Sequence, residues 1–252
     1  MLSVGEITPV PGEQVLIETL DQGLSQFYRE GLPHHTYTHA RDDVLPEVVR
    51  LDGLQPNSSQ QGRFNLIAAT LGHDAGWHLP SDPEAAESKE ERSVRLIRPV
   101  LEECGFKLLD LNEIDDLVRA TAAGTLCMTP NQKKLRRGDI ANVAGKRLPF
   151  LATTVNLFYE AKILADEYGN ESPEWQTYVA AQDIILRSFL SQDLSLGSEP
   201  TIRGVGRFNR EALRNVNRLS SGTVRNPFRF VGRYHNILKP FVAEGALDVI
   251  DC

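Results

Sequence analysis

The sequence is poor in cysteine and has no long apolar run. Its three cysteines, Cys104, Cys127 and Cys252, lie far apart and lack the CxxC spacing of a zinc knuckle or a redox site, so we expect them to be reduced and structural. No window approaches the roughly 18 to 20 consecutive apolar residues of a membrane helix, and the first residues lack the basic start and apolar core of a secretion signal. These absences predict a cytoplasmic protein without a membrane partner.

Basic residues are fewer than acidic ones, and they are unevenly placed. The net charge of −7 disfavours general attraction to nucleic acid or to an anionic membrane. The segment from Arg203 to Arg233, however, contains eight arginines and one acid, Glu211. This segment is therefore strongly basic, and the remainder of the chain is strongly acidic.

Apolar residues recur at helical spacing, and the strict alternation of a β-strand is hard to find, so we predict an all-α fold. The third predicted helix, residues 63–73, is apolar nearly all round, as expected at the centre of a fold. We expect residues 1–190 to form a helical domain and residues 191–252 a loop and an arginine-rich helical extension packing on it. The other predicted helices span about 13–29, 34–52, 81–103, 112–123, 131–143, 149–167, 173–190, 208–219 and 235–244, with helix starts at residues 81–83, Asn112 and Asn131.

The histidines are concentrated in one part of the chain. Five of the six lie between positions 34 and 78. His35 and His39 are four residues apart and would share one face of a helix if both are helical. The pair His73-Asp74 ends the most apolar predicted helix, where a buried charged pair needs compensation, and a cation commonly supplies it.

Two carboxylates also fall on core-facing stripes of predicted helices. Asp139 lies four residues from Leu135 and four from Val143, and Glu90 continues an apolar stripe by one turn. Two histidines and two aspartates, with an inward glutamate nearby, are a ligand set for one divalent ion of Mn, Fe, Co, Ni or Mg. The absence of a thiolate disfavours structural zinc.

The order H…HD…D, formed by His39, His73-Asp74 and Asp139, resembles the HD-domain superfamily of metal-dependent phosphohydrolases. Four strings resemble family segments in the right order, and the similarity covers about residues 32–167. They are LPHHTYTHARDDV for the YHNxxHAxDV start, LIAATLGHDAGW for the HD helix, KEERSV for NExxSA and RRGDIANVAG for DLANxG.

The resemblance implies an HD-type helical bundle and a role for each matching residue. His39, His73, Asp74 and Asp139 would bind the metal, with Asp74 also counted as catalytic. His35 matches the position that protonates the leaving group in the cyclic-nucleotide phosphodiesterase branch, and Glu90 would hold or orient a water at the metal. The implied activity is hydrolysis of a phosphomonoester or phosphodiester, with a nucleotide or another small phosphorylated metabolite as the substrate.

Some family features are missing. No histidine occurs between His78 and His235, which favours one metal and argues against the two-metal and di-iron branches. The ED pair of the guanosine tetraphosphate hydrolases is also missing after the HD. The asparagine that precedes the acid of the NExxSA segment is replaced by Lys89.

Each candidate residue also has a structural explanation. His35 and His39 could be helix-start histidines that are hydrogen-bonded to the backbone, and His73-Asp74 could cap a helix. Asp139 could pair with Arg136, and Glu90 could belong to a solvated acidic face. The basic residues just before Asp139 could bind phosphate oxygens or form a solvated face. They are Lys134, Arg136 and Arg137, of which we take Lys134 and Arg137 as candidate substrate-binding residues.

Four late arginines form one face of a predicted amphipathic helix, which we call the arginine stripe: Arg207, Arg210, Arg214 and Arg218. It could bind a polyanionic ligand or an acidic partner, or it could dock on the acidic remainder of the chain. Few aromatic residues interleave it, which argues against a platform for single-stranded nucleic acid.

The sequence leaves two other functions open. The chain could bind a metal and sense a nucleotide without turnover, or its arginine-rich segment could dock on an anionic partner while the HD site serves as structural support. We favour the hydrolase, and the sequence leaves a homodimer open.

Overall fold

The predicted all-α class is confirmed by the structure, a computed structural model that describes residues 11–80, 87–197, 199–202 and 205–250. Within these ranges the only sheet is a short antiparallel pair, Thr201–Ile202 with Val205–Gly206. No helix in the described ranges has both the length and the apolar character that crossing a membrane requires. The α-helices are α1 Glu13–Leu24, α2 Leu45–Leu54, α3 Gln60–Gly72, α4 Lys89–Glu103, α5 Leu111–Arg119, α6 Pro130–Asp139, α7 Arg147–Glu167, α8 Trp175–Phe189, α9 Arg207–Leu219, α10 Gly222–Arg225 and α11 Pro227–Leu238.

The contacts of the chain divide it into two compact units. Unit 1 comprises the described residues of Met1–Glu30, His35–Asp139 and Leu196–Ser198, and unit 2 those of Gly31–His34, Ile140–Ser195 and Glu199–Cys252. Helices α1 to α6 therefore belong to unit 1, and α7 to α11 belong to unit 2. The predicted division into domains of residues 1–190 and 191–252 stays a prediction.

Helix α3 forms the centre of unit 1. Every residue from Arg63 to Gly72 is buried, as its nearly uniform apolar sequence predicts, and α1, α2, α4, α5 and α6 all pack against it. The core around α3 includes Leu16, Leu20, Phe64, Leu71, Ile97, Ile114 and Leu135. Because α3 is held on all sides, the residues that directly follow it are also held in place.

A buried network of four charged residues ties four helices of unit 1 together. The guanidinium of Arg63 on α3 donates to Glu13 on α1 at 2.7 and 2.9 Å and to Asp52 on α2 at 2.7 Å. The ammonium of Lys134 on α6 donates to the second oxygen of Asp52, also at 2.7 Å. Two cations thus balance two carboxylates, and each of the four residues is at most 8% exposed. We call these residues the ion network.

Several helix ends differ from the predicted ones. Helix α6 begins at Pro130, so Asn131 lies inside the helix and does not cap it. Helix α5 is capped by Asp110, whose carboxylate accepts two backbone N–H groups, rather than by Asn112. The last α-helix begins at Pro227, not near His235, because Asn226 accepts a backbone N–H as its cap and Pro227 suits the first helical position. The predicted start of the fourth helix at residues 81–83 lies outside the described residues.

Unit 2 has an aromatic core between α7, α8 and α11. The Trp175 ring lies 5.1 Å from that of Phe158 and 4.8 Å from that of Phe230, and its indole N–H donates to the Val224 carbonyl at 2.6 Å. Helix α9 packs its apolar face on α8 and on the 3₁₀ turn Ala141–Ala144. This packing leaves the opposite, basic face of α9 directed away from the core of the unit.

Candidate metal centre

Three segments of unit 1 bring four predicted ligands together. His39 begins a π-helical turn, His39–Val44, that leads into α2, while His73 and Asp74 directly follow α3 and Asp139 is the last residue of α6. One ligand atom from each of the four residues lies within 4.8 Å of all the others. We call these four residues the His/Asp cluster, and a cluster of this kind could hold a metal ion.

The ring of His73 is oriented by the end of its own helix. Its Nδ1 lies 2.8 Å from the Thr70 carbonyl, which can only accept, so Nδ1 carries the proton and Nε2 holds the lone pair when the ring is neutral. Nε2 is buried, 3.0 Å from Asp74 Oδ2 and 3.4 Å from Asp139 Oδ1, but it makes no hydrogen bond with suitable geometry. A buried nitrogen in this arrangement is well placed to bind a cation.

His39 presents its Nε2 atom to the cluster in the same way. Its Nδ1 lies 3.3 Å from the carboxylate of Asp43, one turn later, and its Nε2 lies 4.0 Å from Asp139 Oδ1. The ring centroids of His39 and His73 are 6.4 Å apart. In both histidines an acceptor at Nδ1 therefore fixes the ring with the other nitrogen directed inward.

The distances and charges of the cluster fit one divalent cation. Bonds of about 2.1 Å place octahedral ligands about 3 Å apart when adjacent and about 4.2 Å apart when opposite. The measured separations of 3.0, 3.4 and 4.0 Å agree with this range, and the limit of 4.8 Å requires only a small inward movement. Two carboxylates with two neutral imidazoles leave a charge of −2 for the cation to balance.

When no cation is bound, protons balance the negative charge of the His/Asp cluster. Burial alone would lower the pKa of His39, but its contacts with Asp139 and Asp43 and the charge of Asp74 outweigh burial and raise the pKa to about 9. Burial likewise opposes protonation of His73, yet the charges of Asp74 and Asp139 raise its pKa well above the ordinary value. Both histidines are therefore protonated at neutral pH.

The two carboxylates shift in the opposite direction. Burial would raise the pKa of Asp74, but the charges of His73, His35 and Lys89 hold it well below its usual range. Burial would also raise the pKa of Asp139, but its contacts with His39 and His73 lower it. Both aspartates are therefore ionised, and a divalent cation would replace two protons.

We expect the affinity for Mn²⁺ or Co²⁺ to rise steeply with pH. Each bound cation must displace protons from His39 and His73, so the affinity should increase by up to about 100-fold per pH unit while both are protonated. The proton on His39 stabilises the metal-free fold fully below the unfolded pKa of 6.5, and its contribution is lost as the pH rises through about 9. Titration calorimetry in buffers of different ionisation enthalpy measures the number of protons that are released when the metal binds. A metal affinity that is constant above about pH 7.5 would contradict these pKa values.

Close helix packing sets the position of Asp139. A Cβ atom on Gly138 would lie 2.4 Å from Val48 Cγ2, so the backbone of α6 reaches α2 more closely than any larger residue allows. The α-helix ends at the next residue, Asp139, rather than continuing to Val143 as predicted, and a 3₁₀ turn follows. The carboxylate is thus held at a helix end and is part of the cluster.

Two buried arginines secure two loops of unit 1, one of which directly follows Asp74. Arg92 on α4 donates to the carbonyls of Gly76 and Leu79, and the neighbouring Ser93 hydroxyl accepts the N–H of Gly76 at 3.0 Å. Arg136 donates to the carbonyls of Ala120, Ala122 and Thr125 in the loop after α5. The loop after Asp74 is therefore fixed by α4, and the loop after α5 is fixed by α6.

His35 lies beside the cluster, together with two residues that the sequence patterns did not single out as site residues. It occupies a bend before the helical turn, and its ring stacks on Trp77 with centroids 3.7 Å apart and lies 6.4 Å from the ring of His39. The Lys89 ammonium lies 3.9 Å from the centre of the Trp77 ring, and the side chain is 38% exposed. The departure of Lys89 from the family segment was the only signal of its position.

Glu90 is buried, as the apolar stripe of its helix predicts, and the alternative of a solvated face is wrong for this residue. It is 4% exposed, its Oε1 makes no hydrogen bond, and the Lys89 ammonium lies 3.6 Å from that oxygen. Its neighbour Glu91 is exposed and pairs with Arg119 at 2.7 Å. The two adjacent acids therefore have different environments.

Lys134 and Arg137, the candidate substrate-binding residues, are both inside unit 1. Lys134 is 1% exposed and its ammonium donates to Asp52 and Asn131, while Arg137 is 6% exposed. The alternative of a solvated face is therefore wrong for both residues. The charge of Lys134 is balanced within the fold, so we do not assign it to a substrate.

The resemblance to the HD-domain pattern rests on the order of His39, His73, Asp74 and Asp139 in the sequence. Membership of the HD-domain superfamily stays a prediction from these motifs. Comparison of the chain with protein-family models, curated proteins and solved structures gives no match.

Proposed function

We propose that the chain is a metal-dependent phosphohydrolase of the HD type, which cleaves a phosphomonoester or phosphodiester of a nucleotide or another small phosphorylated metabolite. The observation that carries the proposal is the His/Asp cluster, whose four ligand atoms lie within 4.8 Å of one another beside His35 and Lys89. A metal-ligand set next to a titratable histidine and a cation suits phosphoryl transfer to water.

Two nitrogen and two oxygen donors favour one Mn, Fe, Co, Ni or Mg ion. When bound, this ion would supply a Lewis acid that polarises a phosphoryl oxygen and lowers the pKa of a water beside it. His39 and His73 would donate Nε2, and Asp74 and Asp139 would each donate a carboxylate oxygen. Thr70 and Asp43 would keep the two imidazoles oriented.

The remaining residues would act on the substrate and on protons. His35, fixed by its stacking on Trp77, would donate a proton to the departing alkoxide. Lys89 would bind a phosphate oxygen with its partly exposed ammonium. Glu90 would accept a hydrogen bond from the attacking water through its buried Oε1 atom.

A phosphohydrolase screen of the full chain tests the proposal. The protein would be freed of metal with EDTA, reloaded separately with Mn, Co, Ni or Mg, and given phosphomonoesters, cyclic nucleotides and nucleoside triphosphates. We expect product release with at least one metal, and none after EDTA treatment. If the protein binds metal but releases no product, the nucleotide-sensor alternative is favoured over the hydrolase. If it neither binds metal nor releases product, the proposal is wrong.

Replacing His35 with Ala should lower kcat by about 100-fold or more and leave the metal content unchanged. The reason is that His35 lies beside the cluster without contributing one of its four ligand atoms. Elemental analysis and steady-state kinetics on the same preparation separate the two effects. Loss of the metal in this variant would show that His35 is a ligand and that our division of roles is wrong.

A further inference from the structure

Unit 2 contains a basic cavity of about 420 Å³ that the proposed function does not use. Arg207, Arg214 and Arg218 line it from α9, and Lys146 and Arg147 line it from the start of α7. We call it the arginine pocket. None of its lining residues belongs to the His/Asp cluster.

Most of the positive charge in the arginine pocket is not balanced within unit 2. The single acid in its lining is Glu211, which pairs with Arg207 at 2.8 Å. Lys146, Arg147, Arg214 and Arg218 form no ion pair with a described acid of unit 2. We considered that the arginine stripe docks on acidic residues of the chain. Within unit 2, this alternative explains the position of only one arginine, Arg207.

The cations of the pocket repel one another. Partial burial and then the charges of Arg218 and Arg233 lower the pKa of Arg147. A fold gains no stability from holding like charges close together, so their arrangement needs another explanation. An anion between them would convert the repulsion into attraction.

The pocket is also held in a defined shape. Asn215 on its lining is 3% exposed, and its amide donates to the carbonyls of Val143 and Gly145 at 2.8 and 2.9 Å. Its side-chain oxygen accepts a hydrogen bond from Arg218. The apolar face of α9 is buried through Phe208, Ala212, Val216 and Leu219. Arg218 is therefore positioned before any ligand arrives, which lowers the entropic cost of binding.

We propose that the arginine pocket, which shares no residue with the His/Asp cluster, binds a small molecule that carries two or more phosphate groups. Its volume lies within the range of about 300 to 1,000 Å³ that is usual for small-molecule sites. One guanidinium group can donate two parallel hydrogen bonds to phosphate oxygens. Several guanidinium groups line this one cavity. A concave site without aromatic side chains in its lining suits a compact polyphosphate better than a nucleic acid strand, which needs stacking surfaces.

Titration calorimetry with inorganic triphosphate tests this proposal on the full chain. EDTA in the buffer prevents a contribution from metal at the His/Asp cluster, so the result does not depend on the proposed hydrolase. We compare the wild type with the double variant Lys146→Gln/Arg214→Gln, whose two side chains are exposed and form no hydrogen bond or ion pair with the described residues. The matched control, Arg229→Gln/Lys239→Gln, removes the same charge from exposed positions outside the pocket.

We expect the pocket variant to bind triphosphate at least about tenfold more weakly than the wild type, and the control to change by less than about twofold. Inorganic monophosphate should bind more weakly than triphosphate at the same ionic strength. Circular dichroism and thermal melts would establish that both variants fold like the wild type. If the pocket variant does not fold, Arg214→Gln is compared with Arg229→Gln.

Three results would overturn the proposal. The first is no binding of triphosphate by the wild type, and the second is equal weakening in the pocket and control variants, which indicates diffuse attraction. The third is tighter binding of a single-stranded DNA oligonucleotide than of triphosphate. That result would assign the surface to nucleic acid instead.

Discussion

Replacing Asp74 with Ala should remove the metal and abolish phosphate release. Asp74 supplies one of only two anionic ligands in the cluster, so without it a single carboxylate faces a divalent charge. Loss of residues that merely orient metal ligands lowers metal affinity by about 10- to 100-fold, and loss of a ligand should exceed this. We therefore expect a decrease in metal affinity of more than about 100-fold, measured by titration of the EDTA-treated protein.

The matched control for this prediction is Asp42→Ala. Asp42 carries the same charge, lies in the segment of His39 and has a side chain that is 62% exposed. This variant should keep the metal and the activity of the wild type. Helical circular dichroism should survive in both variants, because Asp74 follows α3 and does not form part of its packed surface. Full activity of Asp74→Ala would remove the proposed mechanism.

Among the buried charged residues of unit 1, Asp52 should cause the largest loss of stability when it is replaced with Ala. Asp52 accepts hydrogen bonds from Arg63 and Lys134, each at 2.7 Å, and it is 3% exposed. Its removal leaves a buried positive charge without compensation, which costs about 3 to 5 kcal/mol. Urea unfolding followed by circular dichroism measures the change in the free energy of unfolding.

A second substitution separates this electrostatic explanation from the loss of packing. In the Asp52→Ala background, Lys134→Met removes the uncompensated ammonium and keeps an apolar chain of similar length. The double variant should therefore be more stable than Asp52→Ala alone. Asp42→Ala should unfold within about 0.5 kcal/mol of the wild type. If the double variant is less stable than Asp52→Ala, charge balance is not what Asp52 contributes.

The central features of unit 1 could be predicted from sequence because they depend on local patterns. The pattern of residues 63–73, apolar nearly all round, predicted the burial of α3, and helical spacing placed Glu90 inward. The structure confirms both. The four candidate ligands could be picked out because metal chemistry restricts the residue types and because His73-Asp74 follows the most buried helix. The amphipathic pattern of α9 also corresponds closely to the observed helix.

The features that were missed depend on contacts between distant parts of the chain. The charged sequence around Lys134 looks like a solvated helix face, but its partner Asp52 is 82 residues away, and nothing in the local pattern indicates that pairing. The Lys89 ammonium lies over the Trp77 ring because the loop after α3 meets the start of α4. The start of α5 depends on the choice between the nearby cap residues Asp110 and Asn112, which differ little in local preference. The start of α11 was missed although Asn226 and Pro227 form a local start signal.

The most direct test of the central claim is the metal content of the full chain, purified without a metal-affinity step and analysed for Mn, Fe, Co, Ni and Mg. We predict about one divalent ion per chain in the wild type, either as purified or after reloading and dialysis, and almost none in Asp139→Ala. A wild-type chain that retains no metal, or an Asp139→Ala chain that retains as much as the wild type, would contradict the assignment of His39, His73, Asp74 and Asp139 as its ligands.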